Sequence, residues 1–353
     1  MEGVAMRDLL RTALAAAALA AAAPAAGYAQ TPVLVTESYR VLPPGETGVQ
    51  LFVQNKFPQG FQQFRPERTV LFVHGGLYPA ESTFDLLLSG MSWMDFIAAR
   101  GFDVYYVDLE GFGRSTRPLS MSMAAELNEP VTSTEAAERQ LEAAVSTVLQ
   151  RRKIERLTVI GFDWGASVAA RFASLKPTYV ERLIMVAPPW VTAIAHPSAT
   201  PTPSGAYRAL TLEEARRSWV GMAPASEQAK LVPQPWLDGF WAANMQVDPI
   251  GAAKQPQVVR APNGPALDRQ RFWDQSRAPY DPAKITASVL VVRGEWDTLS
   301  TEIGDRDLAS RLIAAAGRTF VSVPGGTHYM MLEIGRQRLF DTVQRFLEGA
   351  GGS

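Results

Sequence analysis

LTVIGFDWGAS, residues 157–167, decides the reading of this chain. Four apolar residues run into Gly161-Phe162-Asp163-Trp164-Gly165, and a helix-period segment over 166–175 follows and ends at Lys176-Pro177. A buried strand that reverses at once into a helix presents one side chain at the apex of the turn. Gly161 and Gly165 stand where a Cβ would meet neighbouring backbone. The first N–H groups of the helix point at the apex and favour an anion there. The apex residue is Asp163, whose carboxylate suits that field and also suits a plain helix N-cap.

Working outward, short apolar runs recur at 37–42, 50–55, 68–76, 102–111, 157–163, 183–189, 289–295 and 320–326. From the third onward they are nearly continuous in hydrophobicity, as strands of a parallel sheet buried on both faces must be. The first two alternate more and read as an antiparallel edge. Helix-period segments lie between the later runs, at 134–153, 166–175, 301–316 and 336–347, with Thr132-x-x-Glu135 as a capping box for the first. The alternation predicts an α/β fold with a mostly parallel eight-stranded sheet flanked by helices. Residues 190–283 break the rhythm. They are rich in Pro, Ala and Trp, show helix-like pieces at 212–221 and 226–244, and read as an inserted helical cap between core segments 30–189 and 284–353.

Residues 1–29 stand apart. Arg7 and Arg11 precede an Ala/Leu-rich stretch that ends at Gly27-Tyr28-Ala29, the pattern of a signal peptide that would export the chain to the periplasm or beyond. The stretch is too short and Ala-rich for a membrane anchor. The 353-residue chain is 47% apolar and carries a net charge of −1, which points to a small organic partner and away from nucleic acid. With no cysteine, disulfides and thiolate chemistry are excluded. Three scattered histidines offer no close-spaced metal ligands, and no Gly-x-Gly-x-x-Gly follows the first strand, so no cofactor is expected.

Five motifs follow in order: FVHGG after the third run, DLEGFGRST after the fourth, GFDWG after the fifth, GEWD after the seventh and GGTH after the eighth. In this order the sequence resembles the α/β-hydrolase superfamily over nearly all of the chain beyond residue 29. The resemblance implies a nucleophile–acid–histidine set of Asp163, Asp297 and His328. Among the three histidines, His74 falls in the HGG turn and His196 in the cap, which leaves His328 as the base. Glu295 and Asp297 both follow the seventh strand, and the family pattern favours Asp297. The resemblance also implies oxyanion donors from the backbone of Trp164 and of Gly76 or Leu77. The Trp164 indole is either a donor to a leaving group or a packing residue. Asp108 and Glu110 read as turn residues.

An aspartate at the apex implies particular chemistry. A carboxylate attacks an ester poorly, because the product would be an anhydride. It is suited to displacement at saturated carbon, which leaves an alkyl ester that His-activated water can cleave. GFDWGA is similar to the nucleophile turn of epoxide hydrolases and haloalkane dehalogenases, which often have His where Phe162 stands. For an epoxide, proton donors are needed, and the resemblance implies cap tyrosines; Tyr207 and Tyr280 are the candidates. For a halide, indole donors are needed, from Trp164 or from Trp190, Trp219, Trp236, Trp241 or Trp273. The epoxide is the first expectation. HGGLYP departs from the HG-x-Pro of epoxide hydrolases and is closer to esterase-like loops. Two alternatives follow, an esterase-like hydrolase with Ser replaced by Asp and a non-catalytic small-molecule binder.

Overall fold

The computed structural model describes residues 32–190 and 205–349. The leader at 1–29, the first part of the cap and His196 lie outside the described residues. Eight strands form one sheet: β1 (Leu34–Val41), β2 (Leu51–Pro58), β3 (Thr69–Val73), β4 (Asp103–Asp108), β5 (Leu157–Phe162), β6 (Val180–Val186), β9 (Ser288–Gly294) and β10 (Arg318–Val323). Their order is β1-β2-β4-β3-β5-β6-β9-β10. β1 pairs antiparallel with β2, and β2 antiparallel with β4. All later neighbours are parallel. β3, β4 and β5 are buried at every residue, which is why each reads as an unbroken apolar run.

Helices cover both faces: α1 (Ala80–Phe84), α2 (Trp93–Ala98), α3 (Thr134–Arg152), α4 (Trp164–Leu175), α10 (Glu302–Arg311) and α11 (Gln337–Leu347). Phe72, Trp93, Tyr106, Ile160 and Phe340 belong to one apolar layer; Leu71, Tyr105, Val159, Ala169 and Phe172 belong to the other. The alternation of neighbours such as Leu71 and Phe72 between layers is the period-two geometry of a strand. α3 begins at Thr134, as its periodicity predicts, but Thr132 is not its cap. Ser133 is its N-cap and accepts from the Ala136 N–H at 3.3 Å. Thr132 instead takes a φ of +64° and donates to the Glu110 carbonyl.

The insertion after β6 holds helices α5 (Leu212–Val220), α6 (Ala225–Leu231), α7 (Gln234–Val247), α8 (Pro249–Ala252) and α9 (Gly264–Arg271). It also holds a two-stranded antiparallel ribbon, β7 (Tyr207–Thr211) with β8 (Val258–Pro262), which the sequence pattern does not show. β7 is five residues long and buries none of them, so it carries no hydrophobic signature. A buried ion pair, Arg260 with Asp248, ties the ribbon to the end of α7. Phe240 and Trp241 on α7 and Trp219 on α5 join the apolar layer that contains Phe162 and Tyr329.

Candidate active site

β5 ends at Phe162 and α4 begins at Trp164, so Asp163 alone makes the turn. Its backbone is strained, with φ +52° and ψ −126°. A non-glycine residue held in so sparse a region costs on the order of 1–3 kcal/mol, and the surrounding structure must enforce it. The enforcement is visible. A Cβ on Gly161 would lie 2.4 Å from the Gly165 carbonyl oxygen, and one on Gly165 would lie 2.2 Å from that of His74. Only glycines let α4 sit this close to β5 and β3.

The strain aims a carboxylate. Asp163 accepts no capping bond from its own helix, so the plain N-cap role does not account for it. Oδ2 instead accepts the Gly76 N–H at 3.0 Å, and Oδ1 lies 3.6 Å from His328 Nε2. Gly75 has no room for a side chain here, since a Cβ would fall 2.9 Å from Asp163 Oδ2. The other ring nitrogen of His328, Nδ1, lies 2.8 Å from Asp297 Oδ2. Asp297 Oδ1 accepts the N–H groups of Leu299 and Ser300, which fixes the carboxylate. Glu295, the other acid considered, accepts from the Gly325 N–H at 2.8 Å. Asp163, His328 and Asp297 thus form one line of contacts drawn from the ends of β5, β10 and β9.

The electrostatics follow from this line. Burial disfavours charge on His328, but the adjacent Asp297 anion and the bonds to Asp163 and Asp297 outweigh it and lift its pKa to about 10. Burial likewise works against the Asp163 carboxylate. The His328 contact and charge, with the N–H groups of Gly76 and Trp164, overcome it and hold the pKa below the usual value. At neutral pH the pair is imidazolium and carboxylate. A raised histidine pKa adds stability that is fully present below the free-imidazole range and is lost as pH rises towards 10. Asp163→Asn removes one anion and is expected to lower the His328 pKa by at least about one pH unit. Proton NMR of the imidazole resonances reads this cleanly, because the chain has three histidines and burial pushes His74 down to about 4. An unchanged titration would mean that the pair does not form in solution.

The other sequence candidates are placed as follows. His74 is buried in the loop after β3, where Nε2 accepts the Leu109 N–H at 3.0 Å and Nδ1 meets the Gly75 carbonyl. Asp108 accepts the N–H groups of Ala80 and Arg114, a turn role. Glu110 meets the Gln140 side chain. Leu77 contributes its side chain to the apolar layer. The Trp164 indole donates to Thr134 Oγ1 at 2.8 Å and is therefore committed to packing. Trp190, Trp219 and Trp241 donate to Asp307, Glu333 and Gln257. The two cap tyrosines are not brought to Asp163. Tyr207 donates to the Met123 carbonyl, and Tyr280 is buried against Trp190 in the layer that contains α4 residues.

Three residues that sequence reasoning passed over do gather at the site. Tyr329 follows His328, and its ring stands 5.2 Å from the imidazole and 5.7 Å from Phe162. Tyr78, from the HGGLYP loop, is 5.9 Å from Tyr329 by ring centroids. Both rings are more than nine-tenths buried. Neither hydroxyl has a hydrogen-bond partner among the described residues. Burial raises both tyrosines above their ordinary value; the Asp163 charge adds to this at Tyr329, and Arg208 opposes it at both. Arg208 itself, on β7, donates to the Gly76 carbonyl at 2.9 Å. The only hint in the sequence was their position beside motifs, Tyr78 two residues after Gly76 and Tyr329 next to His328.

A strained strand-to-helix turn with an acidic apex, a histidine facing it and an acid behind the histidine thus lies where strands β5, β9 and β10 end. The chain belongs to the alpha/beta hydrolase family, which matches residues 70–341. No curated protein matches it in sequence. Among solved structures it is similar to 2-hydroxy-6-oxo-6-phenylhexa-2,4-dienoate hydrolase from Rhodococcus sp. strain RHA1, with 16% identity, TM-score 0.58, and coverage of 90% of this chain and 100% of that one. It is also similar to a serine hydrolase involved in carbazole degradation, with 14% identity, TM-score 0.58, and coverage of 89% and 99%. The thioesterase domain from the curacin biosynthetic pathway gives 17% identity, TM-score 0.56, and coverage of 89% and 99%. At such identities the likeness is one of fold.

Proposed function

We propose that this hydrolase opens epoxides through a covalent ester on Asp163, after export directed by residues 1–29. The observation that carries the reading is the position of the Asp163 carboxylate: it makes no capping bond to its helix and lies between the Gly76 N–H and His328. Oδ2 rests on the Gly76 N–H, which leaves Oδ1 to attack. Attack on a ring carbon forms the C–O ester bond and breaks the ring C–O bond, and the freed oxygen takes a proton. Tyr78 and Tyr329 are the unpartnered donors at hand.

Esterification then switches the base on. While Asp163 is an anion, His328 is held protonated; once Asp163 is a neutral ester, that part of the support is gone, the imidazole pKa falls, and its proton passes to the tyrosinate left by ring opening. Neutral His328, held through Nδ1 by Asp297, draws a proton from water. The water oxygen attacks the ester carbonyl, Oδ2 becomes the oxyanion on the Gly76 N–H, and the diol leaves with the former Oδ1. A halide leaving group is less well served, because the Trp164 indole is committed to Thr134.

The test is a single turnover in ¹⁸O-water with excess enzyme and a styrene oxide or terminal-epoxide substrate. The label is expected in the Asp163 carboxylate, read by peptide mass spectrometry, with unlabelled oxygen in the diol. Label appearing in the diol on the first turnover, with none in the peptide, would show direct attack by water and remove Asp163 as nucleophile.

A further inference from the structure

Arg208 is a cation without an ion-pair partner among the described residues, half-buried near the proposed nucleophile. The charge that acts on it most is that of Asp163. Its Nη1 donates to the Pro262 carbonyl and to Asn263 Oδ1, and its Nη2 to the Gly76 carbonyl. Among the described residues Nε makes no hydrogen bond. These neutral acceptors hold the guanidinium plane in place without neutralising it. The hydroxyls of Tyr78 and Tyr329, both of which sense the Arg208 charge, also lack acceptors. The subsite is therefore rich in donors and poor in acceptors. Partly desolvating a cation whose nearest opposing charge makes no direct ion pair with it is unfavourable, and a bound anion would offset that cost.

We propose that Arg208 is a specificity residue that anchors a carboxylate on the substrate, so that the preferred substrate is an epoxide bearing an acid group. The site's charges permit this. Asp163 and Asp297 carry two negative charges, and His328 and Arg208 carry two positive ones, so an incoming anion meets no net repulsion. A guanidinium with a free edge matches the planar carboxylate. The aromatic wall of Trp219, Phe240 and Tyr78, with ring spacings of 5.5 and 4.9 Å, would take the apolar remainder. That the acid belongs to an epoxide rests on the function proposed above; the acid-binding subsite itself does not.

Calorimetric titration of the wild-type chain at pH 7 with hexanoate and with hexanamide tests it. These ligands have the same chain length, and neither reacts with Asp163. Hexanoate is expected to bind at least about tenfold tighter, since hydrogen bonds to a charged group are the stronger class. Arg208→Gln should bring the two within twofold and leave hexanamide unchanged. Arg208→Lys, which keeps the charge and loses the fork, should retain a few-fold preference and serves if the glutamine variant does not fold. Equal binding of the two ligands by the wild type, or no binding of either, overturns the proposal. So does an Arg208→Gln variant that weakens both alike, since that would make Arg208 only a latch between the ribbon and the Gly76 loop. Failure of the ¹⁸O experiment would remove the nucleophile and leave a hexanoate preference standing, so the two readings fail separately.

Discussion

His328→Gln is expected to halt the enzyme halfway, with the substrate attached to Asp163. In the proposed mechanism the first step uses Asp163, whose carboxylate is aimed by the turn and by the Gly76 N–H; losing His328 removes a contact that favours the anion but leaves that aim in place. The second step needs a base beside the ester, and His328 Nε2, 3.6 Å from Oδ1, is the group the structure brings there. Glutamine keeps a polar side chain in the space and cannot take the proton. Steady-state turnover should fall about 10⁴-fold, the upper end of what a positioned base supplies. Intact mass should rise by one whole substrate, because epoxide opening expels no atoms, and the added mass should map to the peptide carrying Asp163. A haloalkane would add its alkyl group alone, with halide released. If the variant gains no mass while the wild type turns over, the covalent reading fails. If the mass lands on Ser167, the nucleophile has been misassigned, although Ser167 is fully buried one turn into α4.

How much of this was legible in the sequence depends on the range of each interaction. The central strands were legible because strands buried on both faces must be continuously apolar, and the runs at 68–76, 102–111 and 157–163 cover β3, β4 and β5; β10, expected to be buried on both faces, is instead an edge strand that alternates between exposed and half-buried residues. The line Asp163–His328–Asp297 could be nominated because its members stand next to glycine-marked strand ends. The donors could not. Tyr207 and Tyr280 were chosen for lying in the insertion, yet a hydroxyl's direction depends on packing that composition does not encode. Tyr207 is turned to Met123 and Tyr280 lies in the opposite apolar layer. Tyr78, Tyr329 and Arg208 come from a loop after β3, a loop after β10 and a half-buried ribbon strand, and they meet only through the fold. The ribbon was invisible for a local reason, since five half-exposed residues show neither helical nor alternating periodicity. The start of α3 was legible but its cap was not, because Ser133 and Thr132 are both good caps, and only the backbone, with φ +64° at Thr132, decides between them.

Gly165→Ala should be among the most damaging single substitutions in the core. One added carbon at Gly165 would stand 2.2 Å from the His74 carbonyl oxygen and 2.5 Å from that of Val73. Both obstacles are backbone at the end of β3, where Val73 pairs with β4 and β5, so neither can rotate aside as a side chain would. Relief requires α4 to retreat by roughly an ångström, and α4 packs against α3, β5 and β6 through ten buried residues, including Phe172 and Val168. The expected cost is about 4 kcal/mol or more, in the range reserved for overpacking and backbone strain. Retreat would also release Asp163 from its strained φ and ψ, so any folded remainder should lose the aimed carboxylate and with it activity. Gly239→Ala is the control. It lies in α7 with no atom within 4 Å of the added carbon, and should be neutral or slightly stabilising, as alanine is the better helix former by about 1 kcal/mol. Thermal unfolding of the two variants against the wild type separates them. A Gly165→Ala protein that melts with the wild type and keeps its turnover would mean that the turn is not held rigid, and the strain at Asp163 would lose its functional meaning.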